Sequence, residues 1–238
     1  MAGNKNKMNP FIVICLILIV FVLFIIFRRQ TLVRAEYIRT FVFPTGLLDK
    51  LASLRPELEI NDCQLVALAL RQFFLAYLKS GRKFVSMPSQ VTDELWHEFI
   101  LYTWHYDRFC RKAFGRFLHH TPAVVLGRHR QKNAGLRRVW WHACLEENIQ
   151  PKRASRLPLL FAIDAKLRIV GGFHYVLNCK GIIRRDESSA STVYCGGDLS
   201  SADFDGSTEG FGDSFFNDLG SDGGDGDSGG CGGGCGGD

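Results

Sequence analysis

Four side chains in the middle of the chain have the chemistry to bind a metal ion or to move a proton: Asp93, His97, His119 and His120. Asp93 and His97 are four residues apart, so their side chains meet on one face of a helix. The carboxylate can then accept a hydrogen bond from one imidazole nitrogen and leave the other for a metal or a proton. His119 and His120 follow Gly115, where the chain can turn back toward His97. The spacing therefore predicts a candidate zinc or iron site.

The same stretch allows two other interpretations. Residues 93–120 contain four of the seven histidines and two of the four tryptophans. These histidines could pack in an aromatic cluster, with their nitrogens satisfied by backbone carbonyls. Acid–base catalysis without a metal is the third interpretation. The sequence has no HExxH motif, nucleophile elbow or phosphate-binding glycine-rich loop that would decide among them.

One helix from the N-cap residue Ser89 to Gly115 is expected to carry most of these residues. At 100° per residue, Asp93 and His97 fall away from its apolar face. Cys110 falls within that face, where a thiol usually behaves as a small hydrophobe. We therefore expect a second group of residues to be mainly structural: Trp96, Phe99, Tyr106 and Cys110.

The wider pattern predicts a mainly α fold. Apolar residues recur at helical spacing after Thr45, which is the expected N-cap of the first of these helices, then from about residue 60 to 80, and again from 135 to 148. Gly171 and Gly172 mark a turn, and no alternating strand pattern of useful length is present. We therefore expect residues 45–185 to form a small helical domain.

The N-terminal region predicts a membrane anchor. Residues 1–9 form a polar leader, and residues 10–27 carry no charge and span roughly 27 Å as a helix, close to the hydrocarbon thickness of a bilayer. The alternative is a cleaved signal peptide, but "FRRQTLVR" follows where a small-residue cleavage site would stand. Residues 28–44 are expected to be a juxtamembrane linker. Its arginines outnumber the two leader lysines, which favours a cytoplasmic C-terminal domain in a cell membrane.

Charge divides the rest of the chain into a basic body and an acidic tail. No Lys or Arg follows Arg185, and half of the acidic residues lie in residues 186–238. This Gly-, Ser- and Asp-rich tail is expected to be disordered, and the role of its Cys231 and Cys235 stays open. Charge alone favours a basic surface that is simply solvated; the alternative is that the basic body is drawn to anionic lipid headgroups. That attraction accounts for the "GRHRQKNAGLRR" segment better than nucleic-acid binding does, because few aromatic residues are interleaved with its charges.

The central motifs resemble bacterial glycine-rich domain-containing proteins, a group of membrane-anchored proteins, and distantly the plant glycine-rich domain proteins. The resemblance covers roughly residues 45–180 and brings no settled activity. It implies that the Trp-His unit belongs to a family pattern. The matching positions are Asp93, Trp96, His97, Tyr106, Cys110, Phe114, Gly115 and His119.

Two functional hypotheses remain open at this stage. The first is a membrane-anchored binding or interaction module, with the lipid bilayer and an unknown protein as partners. The alternative is a metal-binding protein or metal-dependent enzyme, with zinc or iron held at His97 together with His119 or His120.

Overall fold

The computed structural model describes residues 10–123, 130–177, 193–195 and Leu199. Within these residues the chain forms seven α-helices, one short 3-10 helix and two three-residue strands. The expected mainly helical fold is confirmed. The polar leader and most of the tail lie outside the described residues. The limits of the helical domain, 45–185, remain a prediction.

The first helix, α1, runs from Pro10 to Arg39 without interruption. It is long and apolar enough to cross a membrane, with a mean hydropathy of 3.3 in its most apolar window. The helix does not stop at Phe27, so much of the expected linker is helical. Ala35 and Ile38 are buried, and Tyr37 lies 6.0 Å from Phe109 between ring centroids. The C-terminal end of α1 is therefore part of the packed domain.

The central helix is α3, Ile60–Lys79. It packs against α1, α2 (Leu47–Leu54), α4 (Gln90–Leu101), α6 (Arg130–Glu146) and α7 (Leu159–Lys166). It begins with a capping box between Glu59 and Asp62, and its last turn is followed by Gly81 at a positive φ of 72°. Residues 73–78 are all buried, as expected for a helix surrounded on most sides. At the start of α2 the expected N-cap Thr45 is wrong, because Gly46 occupies that position with φ 83°.

The helix expected from Ser89 to Gly115 is two helices. The first, α4, spans Gln90–Leu101, and the second, α5, spans Thr103–Phe114, with Tyr102 between them at φ −77° and ψ 58°. The predicted ends are confirmed, because the Ser89 hydroxyl accepts a hydrogen bond from Thr92 N and Gly115 adopts φ 76°. No Gly or Pro marks the break, which is why the sequence pattern did not reveal it.

The remaining elements complete the core. Helix α6 spans Arg130–Glu146, the 3-10 helix spans Pro151–Arg153, and α7 spans Leu159–Lys166. Strands β1 (His174–Val176) and β2 (Val193–Cys195) pair in parallel, with Tyr175 opposite Tyr194. The sequence analysis missed both strands, because three residues are too few for a detectable alternation. Val193–Cys195 and the buried Leu199 also correct the expectation that the tail is disordered from residue 186.

Candidate metal centre

Asp93 lies in the first turn of α4 and is only 4% exposed. Its position follows from the start of that helix, which is fixed by the Ser89 cap and by the buried carboxylate of Asp164 on α7. Asp164 accepts hydrogen bonds from Gln90 N at 2.7 Å and from the Ser89 hydroxyl at 2.7 Å. The Asp93 carboxylate is therefore held at a defined depth below the protein surface.

Two histidines converge on this carboxylate. His120 Nε2 lies 2.9 Å from Asp93 Oδ1, and His97 Nδ1 lies 3.4 Å from Asp93 Oδ2. The two imidazole rings are 3.9 Å apart between centroids and inclined at 47°. One potential ligand atom from each of the three residues lies within 4.8 Å of the others. Three of the four residues predicted from the sequence are thus brought together.

The position of His120 is fixed by a buried chain of hydrogen bonds. The Trp96 indole nitrogen donates to the Tyr106 hydroxyl at 3.1 Å, and this hydroxyl donates to Leu118 O at 2.6 Å. Burial raises the pKa of Tyr106 far above its usual range, so the hydroxyl remains protonated as this donor. The Trp96 ring also meets the His120 ring edge-on, at 4.7 Å between centroids. These contacts hold Leu118 and His120 against α4 and α5.

The three side chains fit a small divalent cation. Ligands at zinc bond lengths of 2.0–2.2 Å in a tetrahedron are separated by about 3.3–3.6 Å. The 3.4 Å between His97 Nδ1 and Asp93 Oδ2 matches this separation, whereas the 2.9 Å between His120 Nε2 and Asp93 Oδ1 is a hydrogen-bond distance that would lengthen when a metal binds. Two imidazoles and a carboxylate suit zinc or ferrous iron. The His97 side chain is 53% exposed, so the cluster opens to solvent on that side. An open site of three protein ligands leaves a position for water or another ligand, which is typical of catalytic metal sites.

His119 does not join the other three residues. Its side chain is exposed and lies 5.1 Å from the ring of Phe117 between centroids. Cys110 is buried on α5, and burial raises the pKa of its thiol, which keeps it protonated. The residues expected to be structural, Trp96, Phe99, Tyr106 and Cys110, all lie in the core. The sequence analysis missed that Trp96 and Tyr106 also hold the segment that carries His120.

A family model described as UCP032817-like matches residues 33–199. The chain belongs to the UCP032817-like family. The match includes Asp93, His97 and His120, together with the end of α1 that packs on the domain, and it leaves out the apolar part of α1 and most of the acidic tail. The resemblance to glycine-rich domain-containing proteins is therefore wrong, since nothing in the UCP032817-like match points to such a family. No curated protein and no solved structure matches the chain.

Proposed function

We propose that this UCP032817-like protein is a membrane-tethered metal-binding protein, with one divalent cation held by Asp93, His97 and His120. The observation that carries the proposal is the convergence of three potential ligand atoms, from two separate chain segments, to within 4.8 Å. A buried carboxylate is costly without compensating charge. A cation between Asp93 and the two imidazoles supplies that compensation.

The three residues suit zinc or ferrous iron, as their imidazole and carboxylate donors indicate. Exposure of His97 leaves one side of the cation open to water. A metal ion in such a site lowers the pKa of a bound water and polarises an oxygen of a bound molecule. Metal-dependent hydrolysis or hydration is the class of reaction that this arrangement favours.

Metal content of the full-length protein in detergent tests the proposal. After treatment with a chelator and return of zinc, we expect about one equivalent of tightly bound zinc per chain. Asp93→Asn, His97→Ala and His120→Ala should each weaken zinc binding by at least about tenfold, because losing even a residue that only orients a ligand weakens metal affinity by about 10–100-fold. His105→Ala and His119→Ala are matched controls, because neither residue is part of the cluster. Equal zinc affinity of the wild type and His120→Ala would refute the site.

We further propose that α1 remains attached as a single membrane anchor with the helical domain in the cytoplasm of the cell. Support comes from its length and hydropathy and from the arginines that follow the apolar run. Reaction of Cys231 or Cys235 with a membrane-impermeant maleimide on intact cells would reverse this orientation. With the proposed topology, both thiols react only after the cells are permeabilised.

The charge distribution supports a second role, attraction of the basic body to anionic lipid headgroups. The chain carries a net charge of +5 although its last 53 residues, 186–238, contain no Lys or Arg. The acidic tail would compete with lipid for the basic surface. Removing residues 200–238 should increase association of the protein with phosphatidylserine vesicles at low salt, and about 1 M salt should abolish the difference. Unchanged association at low salt would contradict the competition.

A further inference from the structure

A cavity of about 510 Å³ lies beside the candidate metal centre. Trp96 forms part of its wall and also touches His120, while His119 and Thr121, the neighbours of His120, line it as well. Cavities of roughly 300–1,000 Å³ are the usual size for sites that bind small molecules. The cavity is therefore large enough for a small organic molecule whose one end lies next to His120.

The polar lining of this cavity is positively charged. Arg82 and Arg116 both line it, and no carboxylate is found among the described residues that do so. Arg116 is held in place because its Nε donates to the Tyr77 hydroxyl at 2.9 Å and its Nη2 donates to Arg82 O. The buried Nε of Arg82 has no hydrogen-bond partner among the described residues. A buried donor without an acceptor is unusual in proteins, and an oxygen of a ligand or of a water would satisfy it.

A third arginine strengthens the positive charge near this wall. Arg34 of α1 donates from Nη1 to Phe114 O at 3.0 Å, and its guanidinium lies over Gly115. Burial and then the charges of Arg34 and Arg116 lower the pKa of Arg82. Three guanidinium groups thus come together from α1 and two loops, and their mutual repulsion is relieved when an anion binds.

The remaining walls are apolar. Phe84, Val85, Trp96, Phe117 and Leu118 line the cavity together with the arginines. A bare inorganic ion would leave these surfaces in contact with water, whereas an apolar group would cover them. The lining therefore matches a molecule with an oxyanion at one end and an apolar body.

We infer that this cavity binds a small organic acid, with its oxyanion on Arg82 and Arg116 and its apolar body against Trp96 and Phe117. The inference rests on the proposed function only where it places the body of the ligand beside the metal, and recognition of the anion does not depend on a metal. In a metal-dependent reaction such an acid would be the substrate class.

Binding of fluorinated probes to the full-length protein in phosphatidylcholine nanodiscs tests this inference. Fluorine NMR line broadening gives the affinity, with empty nanodiscs as the blank. The probe is 4-fluorobenzoate, compared with 4-fluorobenzyl alcohol, which has the same ring but no charge, and with fluoroacetate, which has the charge but no ring. We expect both comparison molecules to bind at least about tenfold more weakly than 4-fluorobenzoate, because charge-assisted hydrogen bonds and apolar burial each contribute.

Substitutions assign the binding to the cavity. Arg82→Gln and Arg116→Gln should each weaken 4-fluorobenzoate binding by about tenfold or more and leave the benzyl alcohol unchanged. Arg82→Lys, which retains the charge, should lose only a few-fold. Arg111→Gln is the matched control, because Arg111 is exposed and paired with Asp107 at 2.7 Å. The unfolding temperature of the same samples shows whether the variants are folded, and their zinc content separates failure of this inference from failure of the metal site.

Two results would overturn the inference. One is equal affinity for 4-fluorobenzoate and 4-fluorobenzyl alcohol, which would mean that the arginines do not recognise the anion. The other is equal 4-fluorobenzoate binding by Arg82→Gln and Arg111→Gln in samples that keep the wild-type unfolding temperature, which would place the binding elsewhere.

Discussion

The buried carboxylate of Asp164 accepts a hydrogen bond from Gln90 N at 2.7 Å and so caps the helix that carries Asp93. The same carboxylate also accepts from Val91 N at 3.3 Å and from Phe173 N at 2.8 Å. Asp164 is 1% exposed. The negative charge at the N-terminus of α4 is favourable for the helix dipole as well as for these donors. The depth and direction of Asp93 therefore depend on a residue of α7.

Replacing Asp164 by Ala should destabilise the domain by about 2–4 kcal/mol, because it leaves several buried backbone donors without an acceptor. The variant should also bind zinc more weakly, since the first turn of α4 is no longer held. Thermal unfolding of the detergent-solubilised chain and zinc titration measure the two effects. Asp107→Ala is the control, because Asp107 forms a solvent-exposed ion pair with Arg111, and such pairs contribute little to stability. Similar unfolding temperatures for the two variants would contradict the capping role.

The Tyr106 hydroxyl is the link between Trp96 and the segment that carries His120. Tyr106→Phe should cost about 1–3 kcal/mol, because Trp96 Nε1 and Leu118 O become buried without their partner. We expect a weaker zinc affinity as well, since the chain before His120 is then less firmly held. Tyr102→Phe is a conservative control at the junction of α4 and α5. Unchanged zinc affinity in a destabilised Tyr106→Phe variant would show that the Tyr106 hydroxyl contributes to stability but not to the position of His120.

The sequence predicted Asp93 and His97 as a pair because they are one helical turn apart on a strongly amphipathic stretch. It left His119 and His120 as equal alternatives. The structure distinguishes them by their surroundings: Leu118 is buried, His119 is exposed beside Phe117, and His120 is half-buried against Asp93. That choice depends on which side of the segment packs against α4. The spacing of neighbouring residues in the sequence does not determine this packing.

Long-range contacts explain the other differences. The break at Tyr102 lets α4 and α5 pack on different neighbours, with α4 against α2 and α3 and α5 against α1. The role of Asp164 also depends on a contact between α7 and α4, elements far apart in the chain. Helices and their caps can be predicted from residues that are neighbours in the sequence. These arrangements depend on tertiary packing, which local sequence patterns do not reveal.

Stability should fall as the pH is lowered from about 6.5 to about 4 because of His142. Burial and the nearby charges of Lys79 and Arg138 lower the pKa of His142 to about 4. The unfolded chain, in which the imidazole has its ordinary pKa, therefore binds the proton more tightly across this interval, and acid favours unfolding. The loss amounts to about 3 kcal/mol at most.

Thermal unfolding of the wild type and His142→Gln from pH 4 to pH 7 measures this contribution. The variant should show a shallower dependence on pH in that interval, because the titrating group is gone. His105→Gln removes an exposed histidine and should keep the wild-type slope. Parallel curves for the wild type and His142→Gln would contradict the assignment.

Gly115 is required for the turn that brings His120 to Asp93, and a pair of glycine substitutions tests this. Gly115 and Gly171 both have φ 76°, but a Cβ at Gly115 would lie 3.0 Å from Arg34 Nη2, whereas a Cβ at Gly171 would meet nothing within 4 Å. Both Gly→Ala changes should cost about 1–2 kcal/mol from the left-handed backbone alone.

Only Gly115→Ala should also weaken zinc binding and 4-fluorobenzoate binding, because it displaces the Arg34 guanidinium and disturbs the chain that leads to His120. Unfolding temperature, zinc affinity and probe affinity are measured on both variants in the same nanodiscs. If Gly171→Ala weakens ligand binding as much as Gly115→Ala, the effect comes from general loss of stability. If the two variants differ only in ligand binding, the effect comes from the contact of Gly115 with Arg34 and from the chain that leads to the candidate metal centre.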